Sequence, residues 1–157
     1  MKKVRIGKEQ AIQRIRHYCA YQERAQQEVR DKLYELGMTM DEVEEIMSDL
    51  IAENFLNEER FATQFAGGHF RVKGWGKIKI QHALQQKRVS SYNIKIGLKA
   101  IDEDAYLKTL EGLAIKKWNS LKGERGLSRM AKTQAFLHQR GFEPLLYQPI
   151  VQSLYKG

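Results

Sequence analysis

The residues of this 157-residue chain with chemistry to offer are four histidines, one cysteine and a triplet of adjacent carboxylates. His17, His69, His82 and His138 are dispersed along the chain. None forms the i, i+4 helical pair with a further ligand that a metal site requires, and Cys19, two residues from His17, lies on a different helical face. Asp102-Glu103-Asp104 stands just before the stripe Leu107, Leu110, Ala114. Acids are favoured at that position by N-capping and by the helix dipole, so the triplet reads as a helix start rather than a proton-transfer group. Gly67-Gly68 and Gly74-Trp75-Gly76 lack the strand–loop–helix setting and the Lys-Ser/Thr of a phosphate cradle. These patterns argue against an enzyme and call for no metal and no cofactor.

The stronger signal is electrostatic. The run Phe61–Ile101 contains no Asp or Glu and eight Lys/Arg, four of them in Arg71-Val72-Lys73-Gly74-Trp75-Gly76-Lys77-Ile78-Lys79-Ile80. Lys77, Lys87, Lys95 and Lys99 cannot share one helical face but can line two adjacent helices. Arg71 and Lys73 approach the same turn from the other side, and Arg88 adds a further cation. Uncompensated cations of this kind suit phosphates or an acidic protein surface. Trp75, between two glycines, could stack on a base, worth roughly 1–3 kcal/mol in single-strand binders, or fill the groove between its own helices. The candidate contact residues are therefore Arg71, Lys73, Trp75, Lys77, Lys79, Lys87, Arg88, Lys95 and Lys99.

The net charge of +8 is unevenly spread. Residues 1–60 carry ten Lys/Arg against thirteen Asp/Glu, whereas residues 102–157 carry nine against six. The acids Asp41, Glu42, Glu44, Glu45, Asp49, Glu53, Glu58 and Glu59 cluster, giving an acidic first third before a basic middle. A single cysteine allows no intrachain disulfide, fits a reducing compartment, and is expected to pack as a small apolar residue. No signal-peptide core follows the basic leader Met1–Lys8, which is expected to fray, and no run reaches the 18 or so apolar residues of a membrane span. A cytoplasmic, soluble protein without a membrane partner is expected.

The elements that must position these residues read as helices. Ile12, Ile15 and Cys19 open a first helix; Ala25, Val29, Leu33 and Leu36 mark a second, with Gly37 where a left-handed terminal residue belongs. Thr39-Met40-Asp41-Glu42 has capping-box spacing, and Val43, Ile46, Met47 and Leu50 form a third buried stripe whose acids face water. Asn57 is a suitable N-cap for a fourth helix carrying Phe61 and Phe65, both expected in the core, with Arg60 pointing to an acidic partner. The pattern then recurs. Leu33, Gly37, Met38, Val43 and Leu50 are matched in offset by Leu84, Arg88, Val89, Ile94 and Ile101, and again by Leu137, Gly141, Phe142, Tyr147 and Leu154. Anchors 51 and 53 residues apart predict an all-α chain of three tandem three-helix repeats, 9–56, 57–102 and 103–157, in an elongated array able to curve.

Three segments resemble one known family, the RecX family of small helical regulators of the RecA recombinase. The first is Glu23-Arg24-Ala25-Gln26-Gln27-Glu28-Val29-Arg30-Asp31-Lys32-Leu33 with Gly37. The second, and most specific, is Phe55-Leu56-Asn57-Glu58-Glu59-Arg60-Phe61-Ala62. The third is Gly74-Trp75-Gly76 through Lys79-Ile80, Leu84 and Lys87, with a weaker echo in Leu137, Arg140, Gly141 and Phe142. The departures are Ala25 for a hydroxyl residue, Ala83 for an acid and Arg88 for glycine. The resemblance implies a non-enzymatic regulator, usually an inhibitor, monomeric, bound in the groove of the RecA–DNA filament. It would touch single- or double-stranded DNA directly or within the filament, and would modulate assembly, ATPase and strand exchange. On composition alone, a stand-alone nucleic-acid-binding protein and a structural adaptor built of repeats remain alternatives.

Overall fold

A computed structural model describes residues 5–157, and every regular element among them is helical. In chain order these are α1 (Lys8–Tyr21), α2 (Gln26–Glu35), α3 (Met40–Ala52), α4 (Glu58–Lys73), α5 (Lys77–Gln86), α6 (Ser91–Lys99), α7 (Glu103–Ser120), α8 (Gly126–Gln139) and α9 (Pro144–Lys156). None of them is long and apolar enough to cross a membrane. The described chain falls into two compact units, one running to Gln64 and including Leu84–Ile96, the other made of Phe65–Ala83 and Gly97–Gly157.

In the first unit α1, α2 and α3 pack on one another around Ala11, Ile15, Cys19, Val29, Leu33, Val43, Ile46, Met47 and Leu50. The stripe of α1 begins at Ala11, fully buried, while Ile12 lies at the edge of the core; the apolar 11–15–19 spacing governs, not the larger side chain. Cys19 is buried and its thiol is pushed up to about 11 by that burial, as expected of a packing residue. Thr39 and Glu42 close the capping box: Thr39 Oγ1 accepts from the Glu42 N–H at 3.3 Å, and Glu42 accepts from the Thr39 N–H at 2.9 Å. Asn57 caps α4 by accepting from the Arg60 N–H at 2.9 Å, and Arg60 reaches Glu23 at 2.7 Å.

Two expectations change in this unit. Three acids of α3, and Glu53 just after it, do not simply face water: Glu42, Glu45, Glu53 and Glu44 pair with Arg5, Lys8, Arg16 and Arg30 at 2.8–3.2 Å. The expected fraying of the leader falls partly on residues 1–4, outside the described residues. From Arg5 onward the chain is docked, with Ile6 N–H donating to Leu36 O at 3.2 Å and Arg5 Nη1 to Gly37 O at 2.7 Å.

In the second unit α7, α8 and α9 form a mutually packed bundle whose buried residues include Tyr106, Leu110, Ala114, Leu137, Phe142, Tyr147 and Val151. Asp102 caps α7 by accepting from the Ala105 N–H at 2.8 Å. The α7 stripe starts at Tyr106, not Leu107, which is 39% exposed; Tyr106, Leu110 and Ala114 recur at a strict four-residue interval.

The matched offsets have a backbone counterpart. Each of the three Leu anchors is followed by the same helix-ending turn, in which Met38, Val89 and Phe142 N–H donate to Leu33, Leu84 and Leu137 O, each at 3.1 Å. One residue earlier, Gly37, Arg88 and Gly141 N–H donate to Tyr34, Gln85 and His138 O, each at 2.9 Å. This pair of bonds is a Schellman motif, which needs a left-handed residue at its centre. Accordingly φ is +91° at Gly37, +60° at Arg88 and +94° at Gly141. Arg88 adopts glycine's conformation without being glycine, at a cost of about 1–2 kcal/mol.

Candidate partner-binding surface

The residues of the basic middle divide between the two units. Arg71, Lys73, Trp75, Lys77, Lys79 and Lys99 belong to the second, Lys87, Arg88 and Lys95 to the first.

In the second unit the site is built at the end of α4. Phe65 and His69 stack one helical turn apart with centroids 3.8 Å apart. His69 Nδ1 donates to Phe65 O at 2.8 Å; a carbonyl can only accept, so the proton sits on that nitrogen. The chain leaves α4 through Gly74, and Trp75 folds back so that its ring lies 4.7 Å from His69. The Lys73 and Lys79 ammonium groups lie 5.3 and 4.6 Å from the Trp75 centroid. The indole is therefore half-buried, flanked by an imidazole and two cations, and is not a free platform. Phe65 is half-buried too, packed on His69 rather than enclosed in the core, whereas Phe61 is buried in the first unit.

The glycines around Trp75 serve the fold. Gly76 N–H donates to Arg140 O at 2.7 Å, Ile78 N–H to Gly141 O at 2.9 Å, and Arg140 Nη1 to Lys73 O at 2.8 Å. What docks against this backbone is the α8–α9 turn of the same chain. Tyr106 completes the arrangement: its hydroxyl accepts from the Lys77 N–H at 2.9 Å and donates to the Glu143 carboxylate. Burial first, then the Glu143 bond, raises the phenol above its ordinary range, so it remains a donor. The Lys77 ammonium rests 4.8 Å from the Tyr106 centroid, which leaves Lys77 half-buried. Arg71, Lys73 and Lys79 are exposed, as is Lys99 on the last turn of α6.

In the first unit Arg88 and Lys95 are exposed, but Lys87 is not an uncompensated cation: its ammonium lies 3.4 Å from Glu28. The acid-free run is a property of the sequence interval, and α2 supplies the acid in space. Glu28 also accepts from the Ala25 N–H at 3.2 Å, performing half of a capping box at a position where alanine has no oxygen to return the bond.

Tyr106 and Glu143 were absent from the sequence-derived candidates. Their signal was present in the spacing of Tyr106, Leu110 and Ala114, but a bond across 37 residues has no local signature.

The comparisons agree with this architecture. The family model for the RecX first three-helix domain matches residues 11–50, and that for the second three-helix domain matches residues 57–98. The chain is 31% identical over 133 residues to the regulatory protein RecX of Prosthecochloris aestuarii, covering 85% of each chain. It is 30% identical over 137 residues to the regulatory protein RecX of Chlorobium limicola, covering 83% of this chain and 80% of that one. Among solved structures, RecX from Lactobacillus salivarius superposes with a TM-score of 0.86 at 22% identity, covering 94% of this chain and 96% of the other. With two matched domains and relatives alike over most of their length, the chain belongs to the RecX family of regulatory proteins.

Proposed function

We propose that this protein regulates the RecA recombinase, usually as an inhibitor, by binding the RecA–DNA filament and altering its assembly, ATPase and strand exchange. The observation that carries the reading is family membership over most of the chain, together with the family's regulatory character. The surface chemistry supports it. Arg71, Lys73, Lys79, Arg88, Lys95 and Lys99 hold exposed positive charge suited to phosphates or acidic protein groups. Trp75, Lys77 and Lys87 are engaged within the fold instead, Trp75 by Lys79, Lys77 by the Tyr106 ring and Lys87 by Glu28. The mechanism is occlusion and changed filament dynamics by a monomer in the cytoplasm, using no cofactor and no bond-making step.

The test is sedimentation of the full chain with RecA filaments on single-stranded DNA, compared with the same DNA alone at matched salt. The reading expects the chain to pellet far better with the filament. Equal recovery on naked DNA would favour a stand-alone nucleic-acid binder, and no recovery with either would favour an adaptor.

A further inference from the structure

We propose that the first unit carries its own contact for single-stranded nucleic acid, in the groove between α1 and α2. An open groove of about 520 Å³ is lined there by Arg14, His17, Tyr18, Tyr21, Arg24 and Lys32. That volume is within the roughly 300–1,000 Å³ of small-ligand pockets, enough for about one base with its sugar-phosphate. Arg14, Tyr18 and Tyr21 recur at i, i+4 and i+7 on α1 and so share a face, while Arg24 comes from the α1–α2 connection and Lys32 from α2.

Two observations point to the occupant. The first is charge. Although residues 1–60 are net acidic, Glu42, Glu45 and Glu44 of α3 and Glu53 just after it are paired with Arg5, Lys8, Arg30 and Arg16, and Glu23 and Glu28 with Arg60 and Lys87. Among the described residues no ion pair involves Arg14, Arg24 or Lys32. The acidic count of the first third therefore conceals a groove whose cations are held in no ion pair, Arg24 and Lys32 resting on the Tyr18 ring, with Glu28 and Glu35 near enough to act on that ring. The second is the rings. Arg24 is fixed, its Nε donating to Tyr18 O at 3.0 Å and its guanidinium lying 3.7 Å from the Tyr18 centroid. Tyr21, by contrast, is 77% exposed, an uncovered aromatic face beside a row of cations. Phosphates alone would need the cations but not the ring. A duplex would keep its bases stacked internally and offer none to Tyr21. Single strands use both, with bases on aromatic faces and phosphates on Lys/Arg.

The proposal does not rest on the recombinase reading, because naked oligonucleotide is its probe. Anisotropy of a fluorescein-labelled 15-nucleotide oligo(dT), titrated with the full chain at several salt concentrations, tests it. Tyr21→Ala is expected to weaken binding about five- to 150-fold, the range of one lost base stack, while Tyr21→Phe binds like the parent. Arg14→Gln with Lys32→Gln should reduce the slope of log affinity against log salt by about 1.4, two contacts of about 0.7 each. Circular dichroism of each variant confirms that the fold is kept. Parent-level binding by Tyr21→Ala would overturn the proposal. So would an abasic phosphodiester oligomer binding as tightly as oligo(dT), or polyglutamate of equal charge displacing it as well as unlabelled oligo(dT) does, which would assign the groove to an acidic protein. Failure of RecA regulation with these results intact would leave the groove standing.

Discussion

Gly76 and Gly141 meet backbone to backbone: a Cβ placed on Gly76 would fall 2.3 Å from the carbonyl carbon of Gly141. From the other side, a Cβ on Gly141 would lie 2.5 Å from the backbone nitrogen of Lys79 in α5. The docking of the α4–α5 connection on the α8–α9 turn thus depends on glycine on both sides, and no flexible side chain can yield. Gly76→Ala is expected to destabilise the chain by at least about 1–3 kcal/mol, the cost of overpacking. Urea denaturation measures this; an unchanged midpoint would mean that the two strands of backbone do not touch.

Tyr106 binds the same junction through its hydroxyl. Tyr106→Phe keeps the ring between Phe70 and Phe142, whose centroids lie 5.5 and 5.3 Å away, but strips the Lys77 N–H and the Glu143 carboxylate of their partner. A loss of about 1–3 kcal/mol is expected. Tyr106→Phe with Glu143→Leu should recover part of it, because the stranded carboxylate is then gone.

Glu42 sets an acid limit on the first unit. The Thr39 backbone N–H, and next the Arg5 guanidinium, hold its carboxyl down at about 2. A depressed folded-state pKa contributes stability above the ordinary carboxylate value near 4.5, and that contribution is lost as pH falls through about 2. The difference in urea midpoint between the parent and Glu42→Gln should therefore be constant above about pH 5 and shrink steadily toward pH 2. A difference independent of pH would show that the carboxylate's charge plays no part.

Arg88 allows backbone and charge to be separated. Relieving its left-handed strain by Arg88→Gly should raise stability by up to about 1 kcal/mol, the strain relieved less glycine's greater unfolded-state entropy. The same change removes one exposed cation. If the variant is more stable in urea yet pellets less with RecA filaments on DNA, the side chain serves the proposed binding at the fold's expense.

Much of this architecture was legible in the chain. The 17-residue offsets located the three Schellman turns because a helix end is local chemistry: an apolar anchor, a left-handed residue four later and a buried residue after it. The capping residues Thr39, Asn57 and Asp102 were legible for the same reason. Partners distant in sequence were not. The acid-free interval said nothing of Glu28 beside Lys87, and the Gly-Trp-Gly motif suggested an approaching partner without showing that the partner is Arg140-Gly141 of the same chain. Likewise, summing charge over the first sixty residues hid Arg14, Arg24 and Lys32, which are in no ion pair among the described residues, because pairing is decided by which helix faces which.

The central claim is regulation of RecA, and the most direct measurement is the single-strand-dependent ATPase of RecA titrated with this protein. The account predicts that the rate falls as the protein is added, and that Lys79→Ala with Arg88→Ala and Lys99→Ala blunts the effect. An ATPase rate unchanged through a molar excess of the folded protein, in the salt where the filament is stable, would contradict it.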